Sequence, residues 1–439
     1  MKRNMTLMLQ AWKNSKNRKP FYLTGIKGVG KTYLSCDFAR SFFDSYLYIS
    51  FEHNKELVLL LEQQSEAQIF SALANYFEFP EAYIDTILLI FDEIHLCKGL
   101  VSKLLHFIKQ KNKNELYWIF ISSYDMLTEN EIKEIDYHTL YPLQYDEFLL
   151  ALGKEWYIEV ITAHYKNQKK LPDMVHRDLL SIFDEYLWIG GMPNVVMEYL
   201  TMESSINVME RQYIQKQILL HGIDQIAEEK TSYKCHQIYD TIDEQLRKKN
   251  QKFQFTLIRK GTTYQMYKDA IEFLVKHYMV YQIPNLDSII YDILVRENTK
   301  TIKENENTKK NKNTKTWQQF KLFYSDFSLN HAARNDELSV EEHYIRLQNY
   351  LYQTFAEKKI PCYFWEAKSQ ASLDFVIKTK DTYLPIELRQ EKRSKTKSIL
   401  SFQNQYPFSK NVVRISSENF VKSDEFFNIP LYSLFCFEN

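Results

Sequence analysis

One stretch near the N-terminus, Phe21 to Ser35 (FYLTGIKGVGKTYLS), constrains this chain more than any other. It reads as an apolar strand, a loop of the form G-x-x-x-x-G-K-[ST] made by Gly25, Gly30, Lys31 and Thr32, and the first turns of a helix. A polyphosphate has to be wrapped by backbone N–H groups, and glycines let the backbone come that close. A helix starting at the loop then aims its remaining free N–H groups and its dipole at the phosphates. The expected nucleotide contacts are Gly25, Lys27, Gly28, Val29, Gly30, Lys31, Thr32 and Tyr33, with Lys31 reaching the outer phosphate oxygens and the Thr32 hydroxyl holding Mg2+. The strand before and helix after supply the context such a motif needs, in a chain with only 9 glycines.

A loop of this kind needs an acidic partner at the end of a second buried strand. Ile87 to Phe91 (ILLIF) is a continuous apolar run that ends in Asp92-Glu93. Such a run suits a strand buried on both faces of a parallel sheet. Acidic residues at its end are costly unless they work. The reading is a Walker B element in which Asp92 holds Mg2+ and Glu93 orients or deprotonates the attacking water. Glu115 to Ser122 is a further strand, and Ser123 after it is a candidate γ-phosphate sensor; a plain loop serine reads equally well. Strands alternating with helices over residues 21–150 predict an α/β fold with a doubly wound parallel sheet, its ligand at the carboxyl ends of the strands.

At 439 residues the chain is too long for one core. Its 56 basic and 56 acidic side chains cancel, so global charge gives no support for nucleic-acid binding, while a local basic face stays open. The five cysteines are scattered, with no C-x-x-C pair and no histidine at metal spacing, which suits thiols in a reducing cytoplasm better than a zinc site. No stretch reaches 18 uninterrupted apolar residues and the first 20 residues lack a signal-peptide core, so a soluble, cytoplasmic protein without membrane contact is expected.

Residues 2–16 suggest a short amphipathic helix. From Tyr145 to Gln225 the pattern is helical, broken by the turn Gly190-Gly191-Met192-Pro193. Residues 236–285 read as a helix to Leu246, a basic segment Arg247 to Lys252, a β-prone run FQFTLI, a helix from Tyr264 and a strand at Tyr278 to Ile283. Helices followed by a hairpin suggest a winged-helix shape, which serves DNA contact in some proteins and packing in others. Residues 297–316 have six lysines, three glutamates and one apolar residue, Ile302, and read as a flexible linker or loop insertion. The expected organisation is a P-loop core at 1–150, a helical lid at 151–230, a winged-helix-like segment at 231–296, the linker, and an α/β domain at 317–439.

That last segment holds a second constellation. Glu342 on a helix, Asp374 on a strand and Glu387-Leu388-Arg389 on the next follow the order of PD-(D/E)XK nucleases, whose acidic side chains hold Mg2+ while a lysine assists the water. Any α/β strand edge shows carboxylates among apolar neighbours too. Here Arg389 replaces the lysine, and arginine does not give up a proton to act as a base, so the expectation is a nuclease-like fold without activity.

With these residues in hand, the chain resembles prokaryotic AAA-type P-loop ATPases that carry a C-terminal nuclease-like domain of unknown function. The resemblance spans nearly the whole length. It rests on WKNSKNRKPFYLTGIKGVGKTYL, LLIFDEIHLC, TLYPLQYDEFL, EYLWIGGMPNVVMEYL, IYDTIDEQLRKKNQKFQF, FKLFYSDFSL, LDFVIKTKDTYLPIEL and NIPLY in that order. It implies an ATPase core, a helical lid, a winged-helix-like segment and a restriction-endonuclease-like tail, with Gly191 and Pro193 of the Gly190 to Pro193 turn against the nucleotide base. The chain departs from the family pattern at Lys27-Gly28, where Arg-Gln is usual, at His95, where Gln is usual, and at Lys133-Glu134, where Gly-Lys usually precedes TLYP.

Three functions follow as expectations: a Mg2+-dependent ATP-hydrolysing switch or motor, an ATP-gated protein that binds or cuts DNA, and an ATP-binding scaffold with little hydrolysis of its own. A self-associating chain or a protein partner would supply any missing arginine finger; within the lid, Arg177 and Arg211 are the nearest candidates.

Overall fold

The apolar run that ends in Asp92-Glu93 forms a central strand of a parallel sheet. The structure, a computed structural model, describes residues 1–80, 87–111, 116–202, 205–290, 319–329, 339–367, 371–380, 382–389, 396–423 and 426–438. The expected linker at 297–316 lies outside the described residues. The chain divides into two compact units. The first comprises Met1–Leu143, Met192–Asn194 and Lys276–Tyr278; the second comprises Gln144–Gly191, Val195–Val275 and Met279–Asn439.

In the first unit, β1 (Phe21–Thr24), β2 (Tyr46–Ser50), β3 (Leu88–Asp92), β4 (Tyr117–Ser122) and β5 (Asp136–Thr139) form an all-parallel sheet in the order β2-β3-β4-β1-β5. This is the α/β sheet of a P-loop NTPase fold. Every residue of β1 and of β3 is buried, as continuous apolar runs require when both faces of a sheet are covered. β4 stands between β1 and β3, pairing Ile119 with Phe21 on one side and with Ile90 on the other. The phosphate loop and the acidic strand end are therefore two strands apart, and the end of β4 lies between them. Trp118 anchors one core. Its ring sits 5.3 Å from Phe70 and 6.2 Å from Phe91, and it is wholly buried. Truncating such a side chain typically costs about 3–5 kcal/mol.

The second unit begins with helices Tyr145–Ala151, Glu155–Asn167, Asp173–Ile189, Pro193–Met202 (whose first two residues group with the first unit), Ser205–Ile226 and Glu229–Leu246. β6 (Val280–Pro284) then pairs antiparallel with β7 (Phe320–Tyr324). The FQFTLI run is not a strand: Phe255–Ile258 is a short helix, so the hairpin expected of a wing is not made by these two runs. β-propensity describes fit to a pleated, half-buried surface, and here the Phe255 ring instead packs against Phe253, Tyr264 and Phe320.

The C-terminal part is a mixed sheet of β8 (Cys362–Glu366), β9 (Ser372–Lys378), β10 (Tyr383–Arg389), β11 (Val413–Ser416), β12 (Val421–Lys422) and β13 (Phe427–Pro430), in the order β12-β13-β11-β10-β9-β8. β8, β9 and β10 run antiparallel as a meander, while β10, β11 and β13 are parallel neighbours. Helix Val340–Glu357 is buried without a break from Ile345 to Phe355, polar residues included. Several of those polar groups have partners, while Asn349 Oδ1, Tyr350 OH and both amide atoms of Gln353 have no hydrogen-bond partner among the described residues. Asn349 donates to Tyr324 O at 2.8 Å, and Arg346 Nη1 donates to Leu187 O and Trp188 O at the C-terminal end of helix Asp173–Ile189, where the helix dipole favours a cation. No described helix is long and apolar enough to cross a membrane.

Candidate functional site

The loop between β1 and helix Lys31–Phe42 owes its path to its glycines. Gly25, Gly28 and Gly30 all have positive φ, and a Cβ on Gly25 would stand 2.3 Å from Leu140 O, so no side chain fits there. A Cβ on Gly30 would stand 3.5 Å from Pro193 Cγ and 3.7 Å from Arg3 Nη1. The loop is thus tightly walled at Gly25, whereas at Gly30 a Cβ would make only ordinary contacts and the φ of 97° is what favours glycine.

Lys31 is buried at the start of its helix, and its Nζ donates to Gly25 O at 2.9 Å, Ile26 O at 3.1 Å and Ser123 Oγ at 3.0 Å. Burial lowers the pKa of this ammonium against the opposing pull of Glu93 and Asp92. Thr32 Oγ1 donates to Asp92 Oδ2 at 2.9 Å, and Tyr48 OH from β2 donates to the same oxygen at 2.6 Å. The other oxygen, Asp92 Oδ1, is buried and has no hydrogen-bond partner among the described residues. Burial raises the Asp92 pKa although both donors oppose the shift.

Glu93 follows with φ 53° and ψ 45°, a left-handed conformation that costs a non-glycine residue about 1 kcal/mol or more. It turns the side chain toward the end of β4. Ser123 N donates to Glu93 Oε2 at 2.9 Å and Ser123 Oγ donates to Oε1. Burial works against this carboxylate, but Lys31, His95 and the two Ser123 bonds outweigh it and hold its pKa below the usual value. Ser123 therefore joins Lys31 to Glu93 by a hydroxyl that accepts from one and donates to the other.

His95 Nδ1 lies 3.0 Å from Ser122 Oγ and 3.3 Å from Glu93 Oε2. The Ser122 hydroxyl proton is used on Tyr124 O at 2.6 Å and Glu93 is an acceptor, so Nδ1 is the protonated nitrogen of the ring. Burial pushes the imidazole down to about 4, so it is neutral at pH 7.

The structure thus brings together Gly25, Gly28, Val29, Gly30, Lys31, Thr32, Asp92, Glu93, Ser123 and Pro193. Lys27 points instead at Glu52, with its Nζ 2.7 Å from Oε1. Tyr33 is exposed, and its hydroxyl accepts from the N-terminal amine. Gly191 N donates to the buried Asp326 carboxylate at 2.8 Å, and a Cβ on Gly190 would collide with Ser328 at 2.3 Å. Arg211 is paired with Glu198 at 3.0 Å, and Arg177 Nε donates to Asp173 O. Two neighbours of the site carry no signal in the local sequence. Arg3, buried, donates from Nη1 to Val29 O at 3.0 Å and from Nη2 to Tyr141 O, bracing the loop from the N-terminal segment. Tyr48, on β2, reaches Asp92 from a strand 44 residues away in sequence.

The second constellation is built differently. Asp374 accepts from Lys321 Nζ at 3.1 Å and from Tyr344 OH at 3.0 Å. Glu387 accepts from Arg414 Nε at 2.7 Å, and Glu342 accepts from Arg247 Nη2 at 3.1 Å while capping its own helix through Ser339 N. Arg389 faces Glu418 at 3.6 Å. Each of the three acids has a basic partner, and among the described residues no group of three or more His, Cys, Asp or Glu is arranged to hold a metal.

Residues 17–149 match the family model of the AAA domain. Residues 180–339 and 339–434 match two models, each described as a domain of unknown function. No curated protein matches the chain. Solved structures similar to it include the Walker-type ATPase of Pyrococcus abyssi, 15% identical over 64% of this chain and 90% of that one with a TM-score of 0.39. DnaA of Aquifex aeolicus, solved with AMPPCP bound, is 12% identical over 61% of this chain and 84% of that one, with a TM-score of 0.29.

Proposed function

We propose that this protein binds ATP at Gly25 to Thr32 and hydrolyses it with Mg2+, a reading supported by the match of residues 17–149 to the AAA domain model. The observation that carries the reading is the pair Thr32 and Asp92, held 2.9 Å apart with Asp92 Oδ1 buried and without a hydrogen-bond partner among the described residues. A hydroxyl and a carboxylate are hard oxygen donors of the kind Mg2+ takes, and an ionised oxygen buried without a partner is costly unless a cation completes it. Bound there, Mg2+ would neutralise charge on the outer phosphates.

The chain's own groups do the rest. Lys31 exchanges its two carbonyl acceptors for phosphate oxygens. Glu93, ionised at pH 7, accepts a proton from the attacking water, and Ser123 fixes the direction its carboxylate faces. Gly30, beside Pro193, keeps the backbone close to the phosphates. The ATP cycle is read as driving a switch or motor. A DNA-cutting function is not favoured, because Lys321, Arg414 and Arg247 stand where the three carboxylates would need a metal.

Nucleotide binding and steady-state hydrolysis of three proteins test this. Lys31→Ala is expected to lose ATP binding, and Glu93→Gln to bind ATP but turn it over at least 100-fold more slowly. Equal rates in the wild type and Glu93→Gln would overturn the assignment.

A further inference from the structure

Four of the six residues from Arg247 to Lys252 (RKKNQK) are basic, and the ATPase site does not use them. They follow helix Glu229–Leu246, and Arg247, Gln251 and Lys252 tie the segment down. Arg247 donates to Glu342, Gln251 Nε2 donates to Gln348 Oε1 at 2.8 Å while its Oε1 accepts from Lys321 Nζ at 3.1 Å, and Lys252 Nζ lies 2.7 Å from Glu366. Glu342 and the Asp374 that Lys321 holds belong to the acid set read from sequence as nuclease-like. Those acids and their partners here anchor a basic loop.

The anchoring leaves Lys248 and Lys249 on the wall of an open cavity of about 510 Å3, shared with Asn250, Gln254, Glu366 and Ser372. The one acid among its described lining residues, Glu366, is already matched by Lys252. Lys249 is exposed and has no hydrogen-bond or ion-pair partner among the described residues. Lys248 pairs only with Glu244 one turn earlier, at 3.5 Å and with both side chains exposed, an interaction worth no more than about 0.5 kcal/mol. Two cations are thus free to turn to an anion. The amides of Asn250 and Gln254 and the hydroxyl of Ser372 add neutral donors beside them. Among the described residues no aromatic side chain lines the cavity, so stacking on bases is not what it offers.

We propose that this cavity is a binding site for the phosphodiester backbone of DNA, contacted through Lys248 and Lys249 without reading sequence and without cutting. The site owes nothing to the ATP-binding reading and stands or falls apart from it. Phosphate contacts by lysine fix affinity and carry a salt dependence of slope close to 0.9 per phosphate on duplex and 0.7 on single strands.

The test is fluorescence anisotropy of the full chain with fluorescein-labelled 20-mers, single-stranded and duplex, over a salt series. The wild type is expected to bind at low salt. Lys248→Glu/Lys249→Glu is expected to weaken binding at least tenfold and to reduce the salt slope by about 1.4 on single strands or 1.8 on duplex, two phosphates' worth. The two arms tell which form of the backbone the cavity takes. Lys169→Glu/Lys170→Glu, a charge reversal elsewhere in the same unit, is expected to leave binding unchanged, and ATP turnover is expected to be the same in all three proteins. The proposal is overturned by a wild type that binds neither 20-mer, by equal affinity of wild type and the 248/249 variant, by an equal loss in the 169/170 variant, or by competition from inorganic phosphate at concentrations where oligonucleotide has no effect.

Discussion

Ser123 holds both carboxylate oxygens of Glu93, through its N–H to Oε2 and its hydroxyl to Oε1, and accepts from Lys31 Nζ with the same hydroxyl. The backbone bond survives replacement by alanine, while the hydroxyl bond does not. Ser123→Ala should therefore leave Glu93 in place but free to swing, lowering kcat about 10- to 100-fold. ATP affinity should change less than threefold, since Lys31 keeps its other contacts. A stopped-flow measurement of binding alongside steady-state turnover separates the two; a large loss of affinity with kcat intact would assign Ser123 to phosphate binding instead.

Asp92 places in the first unit a buried oxygen with no hydrogen-bond partner among the described residues, and burial raises its pKa by disfavouring its charge. Replacing it by asparagine keeps the acceptor for Thr32 and Tyr48 and removes the charge. Asp92→Asn should raise the stability of the nucleotide-free protein by roughly 0.5–2 kcal/mol while reducing hydrolysis at least 100-fold, the trade between stability and activity expected of a strained functional group. Denaturant titration without nucleotide, paired with ATPase assays, checks both halves. A variant less stable than wild type would mean that the carboxylate is structurally satisfied.

Lys321 is almost fully buried, and its ammonium meets Asp374, Gln251 and the face of Phe364, 5.1 Å from the ring centroid. Removing one partner of such a pair strands the other. Lys321→Met should cost about 3 kcal/mol in urea unfolding, and adding Asp374→Asn should recover much of it, since replacing both members of a buried pair is far cheaper than breaking it. Additive losses in the double variant would show that the two residues do not interact.

The parts of the site that could be read from sequence are those whose geometry is local. Gly25 to Thr32 is one continuous turn, and Asp92-Glu93 follows directly from a buried strand, so spacing alone placed Lys31, Thr32 and both acids. Arg3, Tyr48 and His277 reach the first unit's loops from elsewhere in the chain, and nothing in their own neighbourhoods announces it. The same division holds in the fold. There β6 takes its partner from Phe320–Tyr324 some forty residues on, and Phe255–Ile258 is helical with the rings packed around Phe255. The order of Glu342, Asp374 and Glu387 was visible; that each would meet a cation from a distant segment was not.

His277 is buried beside the loop that follows Ser123. Its Nδ1 accepts from Asp125 N at 3.0 Å and its ring meets Tyr124 edge-on at 5.4 Å. Burial first, then Lys276 and His95, push its pKa from 6.5 down to about 3. The folded ring thus stays neutral where the unfolded one takes up a proton. Between pH 6.5 and pH 3 the unfolded state binds more protons, so stability falls as pH falls through 6.5 and levels off below about 3. At pH 5 this one group should cost about 2 kcal/mol relative to pH 7. His277→Asn keeps an acceptor for Asp125 N and does not titrate. Unfolding free energies at pH 7 and pH 5 should therefore differ by about 2 kcal/mol less in His277→Asn than in the wild type. An identical pH dependence in the two proteins would mean that the ring is protonated in place, with Asp125 N turned away from it.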